Sequence, residues 1–182
     1  MALLDTPLCD FGWKAPEFTL SDPSGRSYTM SEYLTGNGLL IAFICNHCPY
    51  VVAVAERLAA DAKALQDEGF GVLAVMSNDY RDYAADSPPN MVAFAQKYGF
   101  TFPYLVDEDQ SVGIAYGAIC TPDFFGLNGK GELQYRGRLD DAGMRDATNR
   151  TPELLMAMRQ IGETGEGPRE QQPSMGCSIK WS

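Results

Sequence analysis

The sequence predicts an α/β fold, a central mixed β-sheet flanked by helices and preceded by an N-terminal β-hairpin. Three observations carry that expectation. The apolar run Leu39-Leu40-Ile41-Ala42-Phe43-Ile44 has the length of a strand buried on both faces. Val51, Val54, Ala55, Leu58, Ala62 and Leu65 then recur at helical spacing, and a second apolar strand follows from Phe70 to Met76. Strand, long crossover helix and strand form a βαβ unit with parallel strands and a right-handed connection. Farther on, the segments 124–127 and 132–135 flank Asn128-Gly129-Lys130-Gly131, a hairpin signal.

Taken in order, Ala15 to Met30 reads as the N-terminal hairpin. Phe18 and Leu20 lie on one arm, Tyr28 on the other, and Asp22-Pro23-Ser24-Gly25 makes the turn. Ser31 is expected to cap a short helix. After the strand at 39–44, Pro49 falls where a first helical residue would, a position whose N–H lacks an intrahelical partner anyway. That helix runs to about Gln66, and Glu68-Gly69 ends it. The polar stretch from Asp79 to Asn90 is a loop placed to line a site, and Ser87-Pro88-Pro89 supplies the N-cap and first turn of a helix through Tyr98. Phe102 to Val106 is a short strand, the acidic 107–109 run a loop, and Gln110 to Tyr116 a short helix. Thr151-Pro152-Glu153 opens the last helix, whose apolar face is Leu154, Leu155, Met158 and Ile161. Beyond Gly162 the chain is rich in Gly, Pro and Gln, and this tail is either disordered or packed back through Ile179 and Trp181. Residues 1–182 form a single domain, with a core at about 12–162 and a C-terminal tail at 163–182.

Composition narrows the function. Fourteen basic against 24 acidic residues give a formal net charge of -10, which repels a phosphate backbone or an anionic membrane. Neither a nucleic-acid partner nor a membrane is expected. No apolar run approaches a membrane span, and the N-terminus lacks the basic start and apolar stretch of a secretory signal, so the expected location is cytoplasmic. Five cysteines are too few for a disulfide scaffold, and an odd number cannot all pair within one chain.

The chemistry centres on Cys45-Asn46-His47-Cys48, at the junction of strand and helix. Cys48 falls at or just before a helix N-terminus, where free N–H groups and the positive end of the helix dipole stabilise a thiolate. Two cysteines at this spacing can act as a redox couple: one thiolate attacks a substrate disulfide and the other resolves the mixed disulfide. His47 is the only histidine. Beside a thiolate it stabilises the reduced form, and together with Asn46 it is a candidate to tune the pair. The non-catalytic alternative is soft-metal binding through Cys45, His47 and Cys48. Cys9 lies in an N-terminal stretch expected to be mobile and is given no function.

The βαβ half followed by a ββα half, with Cys-x-x-Cys at the first strand-to-helix junction, resembles thioredoxin. The chain is similar to the peroxiredoxin-like branch of that superfamily, the alkyl hydroperoxide reductase and thiol-specific antioxidant grouping. The segments that carry the resemblance are Ala15-Pro16-Glu17-Phe18-Thr19-Leu20, Phe43-Ile44-Cys45-Asn46-His47-Cys48-Pro49-Tyr50-Val51 and Phe102-Pro103-Tyr104-Leu105-Val106-Asp107. To these add Cys120-Thr121-Pro122-Asp123-Phe124-Phe125, Tyr135-Arg136-Gly137-Arg138-Leu139-Asp140-Asp141 and Gly176-Cys177-Ser178-Ile179-Lys180-Trp181. The resemblance implies an oxidoreductase acting on disulfides or peroxides, regenerated by a cellular thiol reductant, with no metal or organic cofactor. Its partner would be a protein disulfide, a small thiol or a peroxide.

Residue roles follow from the resemblance. In the thioredoxin register Cys45 is the nucleophile and Cys48 resolves. In the peroxiredoxin register the peroxide-attacking cysteine precedes a proline in the first helical turn, as Cys48 precedes Pro49, and Cys45 stands where that family carries Thr or Ser. The two registers leave open which sulfur attacks first, and both imply a Cys45–Cys48 disulfide. Peroxide attack also needs a hydroxyl and a guanidinium to polarise the distal oxygen. The chain has cysteine for the hydroxyl and no arginine at the start of the Thr121 to Phe124 strand. Disulfide exchange is therefore the favoured reading, with thiol peroxidase through Cys48 the alternative. Thr121-Pro122 matches a cis proline facing the cysteines, which would leave the Thr121 backbone open to a substrate chain. Tyr50 is a candidate to cover the dithiol, and Cys120 and Cys177 are possible additional redox thiols. The charges of Arg138, Asp140 and Asp141 are expected at a solvated hairpin end.

Overall fold

Five consecutive apolar residues of the central strand can all be buried only if both faces of the sheet are covered, and that requirement organises the molecule. In the computed structural model, which describes residues 2–182, the first elements are β1 (Leu3–Asp5), β2 (Thr19–Ser21), β3 (Ser27–Thr29), α1 (Met30–Tyr33) and β4 (Leu39–Phe43). They are followed by α2 (Pro49–Val52), α3 (Ala55–Asp67), β5 (Gly71–Met76), α4 (Pro88–Tyr98), β6 (Tyr104–Val106) and α5 (Ser111–Tyr116). The chain ends with β7 (Cys120–Thr121), β8 (Asp123–Leu127), β9 (Leu133–Tyr135), α6 (Glu153–Thr164) and β10 (Met175–Ser178).

The main sheet has the order β3-β2-β6-β5-β4-β8-β9. Its centre is parallel, β4 beside β5 with Leu39 opposite Gly71, and β5 beside β6. β4 pairs antiparallel with β8, Ile41 opposite Phe125, so the sheet is mixed in the thioredoxin-like way. The pleat divides β4 between two cores. Leu40, Ala42 and Ile44 join Leu58 and Leu65 of α3, Met91 of α4, and Leu154, Met158 and Ile161 of α6. Leu39, Ile41 and Phe43 face the other way, onto Phe18, Met30 and the α5 residues Val112 and Tyr116. Each fully buried Leu, Ile or Phe here stabilises the fold by about 1.5–3 kcal/mol relative to exposure.

Several local expectations are corrected. The helix expected from Pro49 to Gln66 is two helices. Around Val54 the ladder tightens to a three-residue step, with Val54 N–H donating to Val51 O, and Arg57 Nη1 takes up the Ala53 carbonyl at 3.0 Å. Ser31 does not cap α1; its N–H donates to Glu17 Oε1. Ser87 makes no side-chain cap either, and Pro89 removes one of the two N–H groups such a cap would bind. The 107–109 run is the expected loop, and within it Asp107 is buried and accepts from Ser77 Oγ and from the Val112 and Gly113 N–H groups. Asp140, placed at a solvated hairpin end by its charge, is buried between Arg57 at 2.8 Å and Arg150 at 3.3 Å.

The termini form a small sheet that the sequence did not announce, in the order β1-β10-β7. β10 lies antiparallel between β1, with Leu3 opposite Cys177, and β7, with Cys177 opposite Thr121. Leu3–Asp5 of the N-terminal stretch are thus a strand, and Cys9, beyond it, is half-buried. The tail packs back through its backbone and Ile179, which is 4% exposed, whereas Trp181 is 44% exposed.

Candidate functional site

β4 delivers the Cys45-Asn46-His47-Cys48 turn to the edge where both cores meet. Ile44 N–H still pairs with Val75 O, and the chain then leaves the sheet. Asn46 pins the turn from three sides: its N–H donates to Asp86 Oδ1 at 2.7 Å, its Nδ2 to Ala85 O, and its Oδ1 accepts from Tyr104. Asn46 is thereby a loop anchor rather than a group directed at sulfur. Cys48 occupies the N-cap of α2 in extended conformation, with Pro49 at the first helical position as expected.

Four side chains converge above α2. Cys45 Sγ lies 3.4 Å from Thr121 Oγ1. Cys48 Sγ lies 3.3 Å from Thr121 O and 2.8 Å from Cys177 Sγ, nearer than two sulfurs sit in ordinary nonbonded contact. The neighbouring Cys45 thiol draws the Cys48 pKa well below the ordinary thiol range. Burial opposes that shift, while donors from Cys177 and the Val51 N–H reinforce it. Cys45 moves the other way, well above the ordinary thiol range, because it holds its proton in the bond to Cys48, is buried and lies near the Asp86 carboxylate. Burial and its bond to Cys48 push Cys177 up to about 12. All five cysteines are unpaired by disulfide.

His47 leans on Asp86, which the sequence reading left unnamed inside the polar 79–90 loop. Nδ1 sits 2.6 Å from Asp86 Oδ2, without the alignment of a hydrogen bond. Its ring stacks on Tyr83 with centroids 6.1 Å apart. Asp86 is fully buried and also accepts from Asn78 Nδ2 at 3.0 Å, so it ties the cysteine turn to the end of β5. The metal-ligand grouping this geometry offers is Cys45, His47 and Asp86, whose donor atoms lie within 4.8 Å of one another. That corrects the expected trio of Cys45, His47 and Cys48.

The expected groove residues are present but differently employed. The Thr121-Pro122 bond is cis. The Thr121 backbone, expected to be open to a substrate chain, is paired with β10 instead, because residues 175–178 return to fill that edge. Pro122 and Tyr50 line a cavity of about 520 Å³, walled also by Arg138, Ala142 and Ser174. Cys120 lies on the opposite face of β7 from the Thr121 hydroxyl, as strand alternation requires, and donates to Pro122 O. Burial raises its pKa far above the ordinary range, and the nearby Asp123 carboxylate adds to the rise. That leaves it a poor thiolate.

The fold and the thiol cluster define a class, that of thioredoxin-like oxidoreductases. The chain belongs to the AhpC/TSA family, whose profile matches residues 11–136. It is similar to an uncharacterized conserved protein from Geobacillus kaustophilus of known crystal structure, 37% identical with a TM-score of 0.93, over 100% of this chain and 97% of that one. It is 29% identical over 126 residues to the thiol-disulfide oxidoreductase ResA of Geobacillus thermodenitrificans strain NG80-2. That match takes in 68% of this chain and 66% of the relative, so the chain spans about two thirds of the relative's length. The peroxidoxin BcpB from Mycobacterium tuberculosis shares the fold, with a TM-score of 0.65 at 17% identity over 83% of this chain and 97% of that one.

Proposed function

We propose that the protein is a thiol-disulfide oxidoreductase working through a Cys45/Cys48 couple, with Cys48 the attacking sulfur. The observation that carries this reading is geometric: Cys48 sits at the N-cap of α2, directly before Pro49, and its sulfur converges with that of Cys45 on Thr121. In that setting the Cys48 pKa is drawn down and that of Cys45 is raised. A thiolate is the species that attacks a disulfide, and a neighbouring protonated thiol is the natural second reactant. Cys48 attacks a substrate sulfur, forming a mixed disulfide and releasing one substrate thiolate. With its negative charge consumed, Cys48 no longer holds the Cys45 proton. Cys45 then loses that proton, attacks Cys48 Sγ, and expels the second substrate thiol. A cellular thiol reductant returns the disulfide to the dithiol. The substrate class is a protein disulfide or a small disulfide.

The peroxidase reading draws on Cys48 standing directly before Pro49. It is the weaker reading because, among the described residues, no arginine donates to either sulfur, and Arg136 is committed to Asp123 at 2.8 Å. Disulfide reduction with insulin and peroxide consumption, assayed side by side on the reduced protein, separate the two. Disulfide reductase activity lost in Cys48→Ser, with a mixed disulfide trapped on Cys48 when Cys45→Ser and Cys177→Ser are combined, is expected. Peroxide turnover abolished by Cys48→Ser, in a protein that reduces no disulfide, sinks the proposal. Stoichiometric metal that blocks alkylation of Cys45 would favour the binding alternative.

A further inference from the structure

The C-terminal strand does more than cover the site. β10 lies antiparallel on the Thr121 edge, with Cys177 opposite Thr121, and so presents its own cysteine to the Cys48 sulfur at 2.8 Å. It is held on both sides of that cysteine. Before it, Ser174 Oγ donates to Pro122 O at 2.6 Å and Ser174 N–H to Thr6 Oγ1. After it, Ile179 N–H pairs with Ile119 O, and Lys180 exchanges bonds with Asn78 and Asp79. Gly176 is the residue that lets the strand come this close, since a Cβ there would lie 1.8 Å from the Thr121 carbonyl oxygen. Cys45, Cys48 and Cys177 are each no more than 3% exposed, so they form one closed three-sulfur cluster with Cys48 at its centre.

We propose that Cys177 is a third redox thiol, and that β10 is seated on Thr121 as an internal thiol substrate of the dithiol. This rests on the Cys45/Cys48 reading above. Starting from the Cys45–Cys48 disulfide, the Cys177 thiolate attacks Cys48 Sγ. The Cys48–Cys177 bond forms as the Cys45–Cys48 bond breaks, and Cys45 leaves as a thiolate that takes up the proton Cys177 gave up. No electrons enter or leave; the disulfide moves from one partner of Cys48 to the other. A Cys48–Cys177 disulfide ties the tail down over Thr121, so this oxidised form is closed to an extended peptide until an outside thiol reduces it.

The deciding experiment oxidises Cys45→Ser with oxidised glutathione, alkylates the remaining thiols and maps the linked peptides by mass spectrometry without reduction. The expected result is a Cys48–Cys177 link in most molecules, with glutathione displaced from Cys48 and the link absent after Cys177→Ser is added. Glutathione retained on Cys48 with Cys177 fully alkylated overturns the proposal. Should Cys45→Ser fail to melt cooperatively, the wild-type chain decides: both links support the exchange, and Cys45–Cys48 alone refutes it. The fate of the earlier reading is read separately, from whether wild type forms a Cys45–Cys48 link at all.

Discussion

Replacing Gly176 by alanine tests the docking of the tail with a single methyl group. The new Cβ would stand 1.8 Å from Thr121 O and 2.6 Å from Thr121 C, against a practical minimum of 3.0 Å. Both atoms are main chain and cannot swing aside. β10 and β7 must therefore part by about 1.2 Å, which breaks the ladder bonds that hold Cys177 and Ser178 opposite Thr121 and Cys120. Overpacking of this kind costs about 1–3 kcal/mol, so the opened tail gains population by about 5- to 150-fold. Amide exchange across residues 175–180 and the alkylation rate of Cys177 by iodoacetamide both read that population. Both are expected to rise together, while the β4 and β5 amides keep their protection. The exposed neighbour Met175, replaced by alanine, is the control and should leave both unchanged. If Gly176→Ala leaves Cys177 alkylation within twofold of wild type, β10 does not sit on the Thr121 edge in this register.

Other expectations concern the site's charges and the core. Alkylation of Cys48 should follow a thiolate with a midpoint near pH 4, and Cys45→Ser should move that midpoint up toward the ordinary thiol range. Because the folded Cys48 pKa is depressed, its contribution to stability is complete above the unfolded thiol range near pH 8.5 and is lost as pH falls through about 4. Cys45 acts oppositely, its contribution being lost only as pH rises above that range. Urea unfolding of the reduced protein at pH 5 and pH 8 should accordingly show a steeper gain with pH in wild type than in Cys48→Ser. Asp86→Ala leaves the Asn46 N–H and Asn78 without their buried acceptor and should cost about 3–5 kcal/mol in the same assay, a loss under 1 kcal/mol contradicting its anchoring role. Asp140→Ala strips a buried carboxylate from Arg57 and Arg150 and should cost a similar amount, about 3–5 kcal/mol. Phe43→Ala, cut from the centre of the sheet, should lose about 3–5 kcal/mol.

What the sequence disclosed and what it hid divide along one physical line. Periodicity reports burial over five or more residues, so β4, α3, β5 and α6 were legible from Leu39 to Met76 and from Leu154 to Ile161. Turn chemistry reports backbone need, which is why Asp22 to Gly25 and Asn128 to Gly131 could be read. The two-residue β7 and the Met-Gly-Cys-Ser strand β10 carry neither signal, since their pairing is between backbones far apart in the chain. The same holds for charge. A lone Asp in a polar loop reads as solvated, and only the fold shows that Asp86 faces His47, or that Asp107 and Asp140 are buried. Gly176 was the one local hint. A glycine beside Cys177, in a tail with no strand pattern of its own, marks a close approach of two main chains, and that approach turns a motif of two cysteines into a cluster of three.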